Sequence, residues 1–120
     1  DDIDDADEDV IRNAWFGPVG TVSPLHFDPY SNLFVQVVGR KYVRLYSSEY
    51  TASLYPREGR DNNTSLVDLD DVDATLHPLF LAAPSYECVL SPGECLFIPK
   101  GWWHYVRSLD MSFSVSFWWT

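Results

Sequence analysis

At 120 residues the chain has room for one domain, and with 46% hydrophobic and 16% aromatic residues it has ample material for a core. A net charge of -10 excludes a basic nucleic-acid face as its organising feature. No apolar run reaches the length of a membrane-spanning helix, and the many Trp, Tyr and Phe favour strands over helices.

Residues 1–10 read as an acidic, flexible segment, in which Asp1, Asp2, Asp4, Asp5, Asp7, Glu8 and Asp9 carry most of the net charge. Residues 11–120 read as the folded part. Ile11 to Phe16 is apolar and aromatic, and Gly17-Pro18 and Val19-Gly20 signal turns. Thr21 to Asp28 predicts a strand that Pro24 confines to an edge, an end or a bulge. Pro29 to Asn32 turns, and Leu33 to Val38 is a strong β-branched strand. Gly39-Arg40 is a tight turn before a strand over Lys41 to Tyr46. Ser47 to Ser85 is a long connection, expected to be functional or partly ordered. Within it Asp68, Asp70, Asp71 and Asp73 are expected to cap a short helix through Leu76, stopped by Pro78.

Strands then return over Tyr86 to Leu90 and Glu94 to Ile98, joined by Ser91-Pro92-Gly93 as a hairpin turn. After Pro99-Lys100-Gly101 come Trp102 to Ser108, a turn at Leu109-Asp110, and Ser112 to Trp119. About eight short strands separated by turn chemistry predict an antiparallel sandwich or barrel. On the last strand Phe113, Val115, Phe117 and Trp119 alternate with Ser112, Ser114, Ser116 and Trp118. Periodicity by itself makes the first set a core face and the serines a water face. Cys88 and Cys95 would not sit opposite one another, so no disulfide is expected and a reducing compartment fits. The overlapping glycosylation triplets that start at Asn62 and Asn63 read as accidental.

His26 and Asp28 are two residues apart, so on an extended strand both side chains point to one face. Of the other histidines, His77 precedes Pro78 and reads as a loop residue, whereas His104 lies on a late strand that a closed sheet can bring beside an early one. Two imidazoles and a carboxylate on one side of a metal leave open positions, as in non-haem iron oxygenases. A three-ligand zinc site looks much the same, and spacing leaves both open. Lys41, taken alone, reads as a solvated strand-edge charge, and Trp15 and Trp103 as core.

The runs Asn13-Ala14-Trp15-Phe16-Gly17-Pro18, Ser23-Pro24-Leu25-His26-Phe27-Asp28-Pro29, Gln36-Val37-Val38-Gly39-Arg40-Lys41-Tyr42, Leu90-Ser91-Pro92-Gly93-Glu94 and Phe97-Ile98-Pro99, followed by Trp103-His104, resemble jumonji-C domains. The ending Ser112 to Trp119 resembles one branch, the jumonji-C domain-containing protein 5 group. The resemblance implies a mainly all-β, jelly-roll or cupin-like double-stranded β-helix with one long, partly helical connection. It implies Fe(II) held by His26, Asp28 and His104, with 2-oxoglutarate and O2 as co-substrates. Lys41 matches the lysine that pairs with the far carboxylate of 2-oxoglutarate. Ser23 and Asn32 match positions that hydrogen-bond the co-substrate, and Trp118 an aromatic bordering the pocket, which turns the serine face inward. The activity implied is oxygenation of a protein or peptide side chain that is cationic, with arginine hydroxylation ahead of N-methyl-lysine demethylation. Glu58, Asp61, Asp68 and Asp70 are candidates to receive that side chain. A non-catalytic cupin-like module and a metallopeptidase are the readings from other classes. Nucleus or cytoplasm is the expected location, with no nucleic acid or membrane as partner. The family's domain begins well upstream, so the chain is expected to be the C-terminal part of a longer catalytic domain.

Overall fold

The computed structural model describes residues 10–120; nearly all of the expected acidic segment lies outside them. Eight strands form: β1 (Ile11–Gly17), β2 (Val22–His26), β3 (Ser31–Val38), β4 (Lys41–Tyr46), β5 (Tyr86–Leu90), β6 (Cys95–Ile98), β7 (Trp103–Ser108) and β8 (Ser112–Trp119). They build two antiparallel four-stranded sheets, ordered β1-β8-β3-β6 and β2-β7-β4-β5, facing each other as a jelly roll. Between β3 and β4, Gly39 takes φ 71° where the chain passes against the Met111 backbone and the Asp110 Cβ, a position with no room for a Cβ.

Period-two alternation divides each strand between two environments. Phe34, Val43, Leu45, Leu90, Ile98 and Val106 point between the sheets and form an inner core. The opposite face of β4 and β7 presents Tyr46, Trp103 and Tyr105 to Leu54, Val67 and Phe80 of the long connection, a second core outside the barrel. Truncating Trp103, which is wholly buried, would cost about 3–5 kcal/mol by analogy with other buried aromatics. The connection thus backs one sheet with three short 3-10 segments, Ser48–Leu54, Gly59–Asp61 and Phe80–Ala82.

Three expectations are corrected. The helix expected before Leu76 is a single turn, in which the Asp73 carboxylate accepts from the backbone N–H groups of Thr75 and Leu76 before Pro78 ends it. Ile11–Gly17, read from the sequence only as apolar and aromatic, is a strand in full, held by pairing along β8 although most of its side chains are exposed. Ser91-Pro92-Gly93 does not close a hairpin, because β5 and β6 lie in different sheets. Its backbone bonds go to β3 instead: Gly93 N–H donates to the Gln36 carbonyl and Gln36 N–H to the Glu94 carbonyl.

The third is the water face that periodicity alone gave the serines of β8; the inward serine face implied by the resemblance holds. Ser112, Ser114 and Ser116 are buried, while Phe113, Val115, Phe117 and Trp119 are partly exposed. Each serine has an inward partner: Ser112 pairs with Ser108 at 3.0 Å, Ser114 donates to Gln36 Oε1 at 2.7 Å, and Ser116 accepts from Trp15 Nε1 at 3.0 Å. β8 runs mid-sheet over the barrel interior, where small hydroxyls leave room for a cavity and satisfy its polar walls.

Candidate metal centre

β2 and β7 are neighbours, and their register sets His26 directly opposite His104. Directly opposed residues on antiparallel strands project to the same face. The pairing shifts between Ser23 and His26, at Pro24, which lacks the N–H a regular ladder needs. The strand ends at His26, and Asp28 follows just beyond it. Its Oδ2 lies 3.5 Å from Nε2 of His26 and 3.5 Å from Nε2 of His104. The two rings are 4.3 Å apart, and the three ligating atoms lie within 4.8 Å of one another. Ligands about 2.1 Å from one ion and at right angles to each other stand about 3 Å apart, so the triad closes on a cation with little movement.

Both imidazoles are oriented by the same local device. Nδ1 of His26 lies 2.7 Å from the Pro24 carbonyl, and Nδ1 of His104 lies 3.2 Å from the Trp102 carbonyl. A carbonyl only accepts, so these bonds put a proton on Nδ1 and turn Nε2 toward Asp28, where it donates to the carboxylate when the ring is protonated and offers a lone pair to a metal when it is neutral. Burial pushes the Asp28 carboxyl up, but hydrogen bonds and charge from His104 and His26 outweigh it and hold the group well below the usual carboxylate range. Burial lowers the His26 pKa, yet the Asp28 hydrogen bond, the Pro24 carbonyl and the Asp28 charge leave it raised overall.

The triad opens into a cavity of about 410 Å³ between the sheets. Ser23, Asn32, Lys41 and Trp118 line the same cavity, so all seven sequence-predicted site residues meet there. Lys41, read alone as a strand-edge charge, is buried; its ammonium sits 5.2 Å from the Phe34 ring centre. No carboxylate pairs with it among the described residues, and burial pulls its pKa down. Asn32 Oδ1 and Trp118 Nε1 are likewise buried without a hydrogen-bond partner. A buried ammonium and an unused indole N–H on one cavity fit a guest with anionic oxygens, and the Asn32 Oδ1 can accept from a hydroxyl or water. The donor set, two imidazole nitrogens and one carboxylate oxygen, fits a first-row divalent metal.

Trp15 is not a core residue: it lines the cavity, its ring 6.4 Å from that of Trp118. Tyr30, which sequence reasoning passed over, stacks on Trp118 at 5.4 Å. Neither was visible without the pairing of β1 and β3 on either side of β8. Trp103 is core as expected, and His77 stands apart with its ring against Tyr55. Of the acidic candidates for substrate contact, Asp70 accepts from Tyr105 and Arg107 and Asp68 caps the local turn. Tyr105 and Arg107 point to the face of β7 away from His104, so Asp70 is turned from the cavity.

A two-sheet barrel with two imidazoles and a carboxylate lining its cavity is the build of the cupin-type metal-binding domains. The chain belongs to the cupin-like domain family, whose profile matches residues 5–120, and within it to the jumonji-C proteins. It is 56% identical over 116 residues to a Xenopus tropicalis protein named lysine-specific demethylase 8, covering 96% of this chain and 26% of that protein. It is 58% identical over 115 residues to the Danio rerio protein of the same name, covering 95% and 28%. To the Drosophila melanogaster Jumonji C domain-containing protein 5 it is 47% identical over 111 residues, covering 92% and 28%. The chain therefore spans about a quarter of the length of these curated relatives.

Proposed function

We propose that this chain is the catalytic part of an Fe(II)- and 2-oxoglutarate-dependent oxygenase that acts on a cationic side chain of a protein. The observation that carries the reading is one cavity shared by a two-histidine, one-carboxylate triad and a buried lysine without a counter-ion. His26, Asp28 and His104 would hold the iron. With iron bound, 2-oxoglutarate and O2 supply the chemistry: a substrate C–H becomes C–OH while 2-oxoglutarate leaves as succinate and carbon dioxide.

The chain's own residues bind and orient. The Lys41 ammonium takes the far carboxylate of 2-oxoglutarate, an interaction strengthened by burial. Asn32 and Ser23 offer hydrogen bonds to the same guest, and Trp118, backed by Tyr30, walls the pocket and excludes water. The Nδ1–H groups of both histidines keep donating to the Pro24 and Trp102 carbonyls, so the ligands keep one tautomer throughout.

The favoured outcome is hydroxylation of arginine. The second reading, removal of a methyl group from lysine, draws on the names of the relatives from Xenopus tropicalis and Danio rerio. A nuclear or cytoplasmic setting goes with either and suits the two unpaired cysteines. The test is mass spectrometry after incubating the Fe(II)-loaded protein with 2-oxoglutarate and two peptides, one with arginine and one with methyl-lysine. Succinate together with one added oxygen on arginine is expected. Methyl loss from lysine with arginine untouched would establish the demethylase instead. His104→Ala should abolish succinate formation, and full turnover by that variant would remove His104 from the site.

A further inference from the structure

Asp28 is a ligand without a strand to hold it. β2 stops at His26, and Phe27 has no partner in the β2–β7 ladder. The long connection supplies what the sheet does not. Phe27 N–H donates to the Asn63 carbonyl at 2.9 Å, and the Asn63 side-chain amide donates back to the Phe27 carbonyl at 3.0 Å. Both backbone polar groups of the residue between the two ligands therefore end on Asn63. In a regular antiparallel pair the second bond would come from a backbone N–H; here a side chain provides it. Around this contact Ser65 N–H bonds the Leu25 carbonyl at 2.9 Å, and Thr64 bridges His26. On the far side Phe27 packs edge-on to Trp103, the neighbour of His104, at 4.9 Å.

We infer that Asn63 is a positioning residue for the metal: it fixes the peptide units joining His26 to Asp28 and so sets the spacing of their ligating atoms. This rests on the metal reading above. The chemistry needs asparagine at this place. An aspartate has no N–H to give the carbonyl when ionised and would repel it, and alanine gives nothing. Asn63 also lies in both overlapping Asn-x-Ser/Thr triplets, and its half-buried amide is turned inward rather than offered to solvent.

The experiment is Co(II) titration of the purified protein, followed by calorimetry and by the visible absorption of the bound ion, with the Tm of the metal-free protein measured alongside. Asn63→Ala and the near-isosteric Asn63→Asp should each weaken Co(II) binding by about 10–100-fold, the usual size for loss of a group that orients a ligand, and alter the absorption bands. Asn62→Ala, at the exposed neighbour, should bind as the wild type does. Ser65→Ala loses a hydrogen bond to the Leu54 carbonyl within the connection and reports general loosening. Wild-type affinity and spectrum in both Asn63 variants would overturn the assignment, whatever their Tm. So would a loss no greater than that of Ser65→Ala. Wild-type protein that takes up no Co(II) would instead sink the metal site and this role with it.

Discussion

At the scale of single residues, stability and function part company at Lys41. A buried ammonium without a carboxylate partner among the described residues weakens the ligand-free fold, because burial penalises its charged form. The same penalty makes it a strong anchor once an anionic guest arrives. Lys41→Met, which keeps length and removes charge, should therefore leave the metal-free protein as stable as wild type or up to about 1 kcal/mol more so. It should raise the KM for 2-oxoglutarate by about 100-fold, the equivalent of one lost charge-assisted bond. Co(II) affinity should not change. Denaturant melts and succinate kinetics check both halves, and a variant that is clearly less stable with an unaltered KM would contradict them. The inward placement of Lys41 was legible only through its motif, since charge and strand position alone pointed to solvent. The histidine tautomers were not legible at all. They depend on carbonyls two residues back, at Pro24 and Trp102, whose direction is fixed only once the strands pair.

At the scale of elements, strand existence was readable and strand partnership was not. Turn residues and β-branched runs located seven of the strands that the structure contains, but β1 has the burial of a loop and becomes a strand only through β8. Alternation along β8 was equally plain in the sequence, yet periodicity alone gave it the wrong sign, and only the family resemblance turned the serines inward. Periodicity tells which residues share a face; what lies over that face is a property of the opposite sheet. The Pro-Gly turn between β5 and β6 failed for a related reason, since a turn specifies a change of direction and not the sheet that receives the chain. Pairing also creates chemistry at the outer face of β4 and β5, where Tyr42 Oη donates to Glu87 at 2.5 Å. Burial, then this bond and the Glu87 charge, push the Tyr42 pKa up to about 12. The folded state thus keeps a proton that the unfolded state releases near pH 10. The contribution is complete below about pH 10 and is lost as pH rises toward about 12. Tyr42→Phe should be less stable than wild type by about 1 kcal/mol at pH 8, with the gap closing by pH 12. Tyr46 and Tyr105 are raised as well, so the comparison of variant with wild type, not the absolute slope, isolates Tyr42. Urea melts at pH 8 and 11.5 would show it; a constant gap would contradict the assignment.

At the scale of the whole molecule the two sheets are treated unequally. The connection covers the outer face of β2-β7-β4-β5 and converts it into a core, whereas among the described residues nothing covers the outer face of β1-β8-β3-β6. That face carries Leu33, Val35, Phe113, Val115, Phe117 and Phe97 in register across three of the four strands, and Phe97 is 52% exposed. Apolar surface on this scale drives association unless charge opposes it. The net charge of -10 does oppose it, and salt removes that opposition by screening while leaving the apolar attraction in place. The 120-residue chain should therefore self-associate more strongly at high salt than at low salt, the reverse of an association built on ion pairs. Phe97→Lys together with Val115→Thr should weaken that association several-fold and lower the fluorescence of a polarity-sensitive dye. Both residues face away from the cavity, so Co(II) affinity should be retained. Sedimentation at low and high salt reads the first effect. A chain that stays monomeric at high salt would overturn the prediction; if instead the double variant associates as the wild type does, the contact lies at the exposed edges of β1 and β6, because edge pairing depends on backbone groups that neither substitution touches.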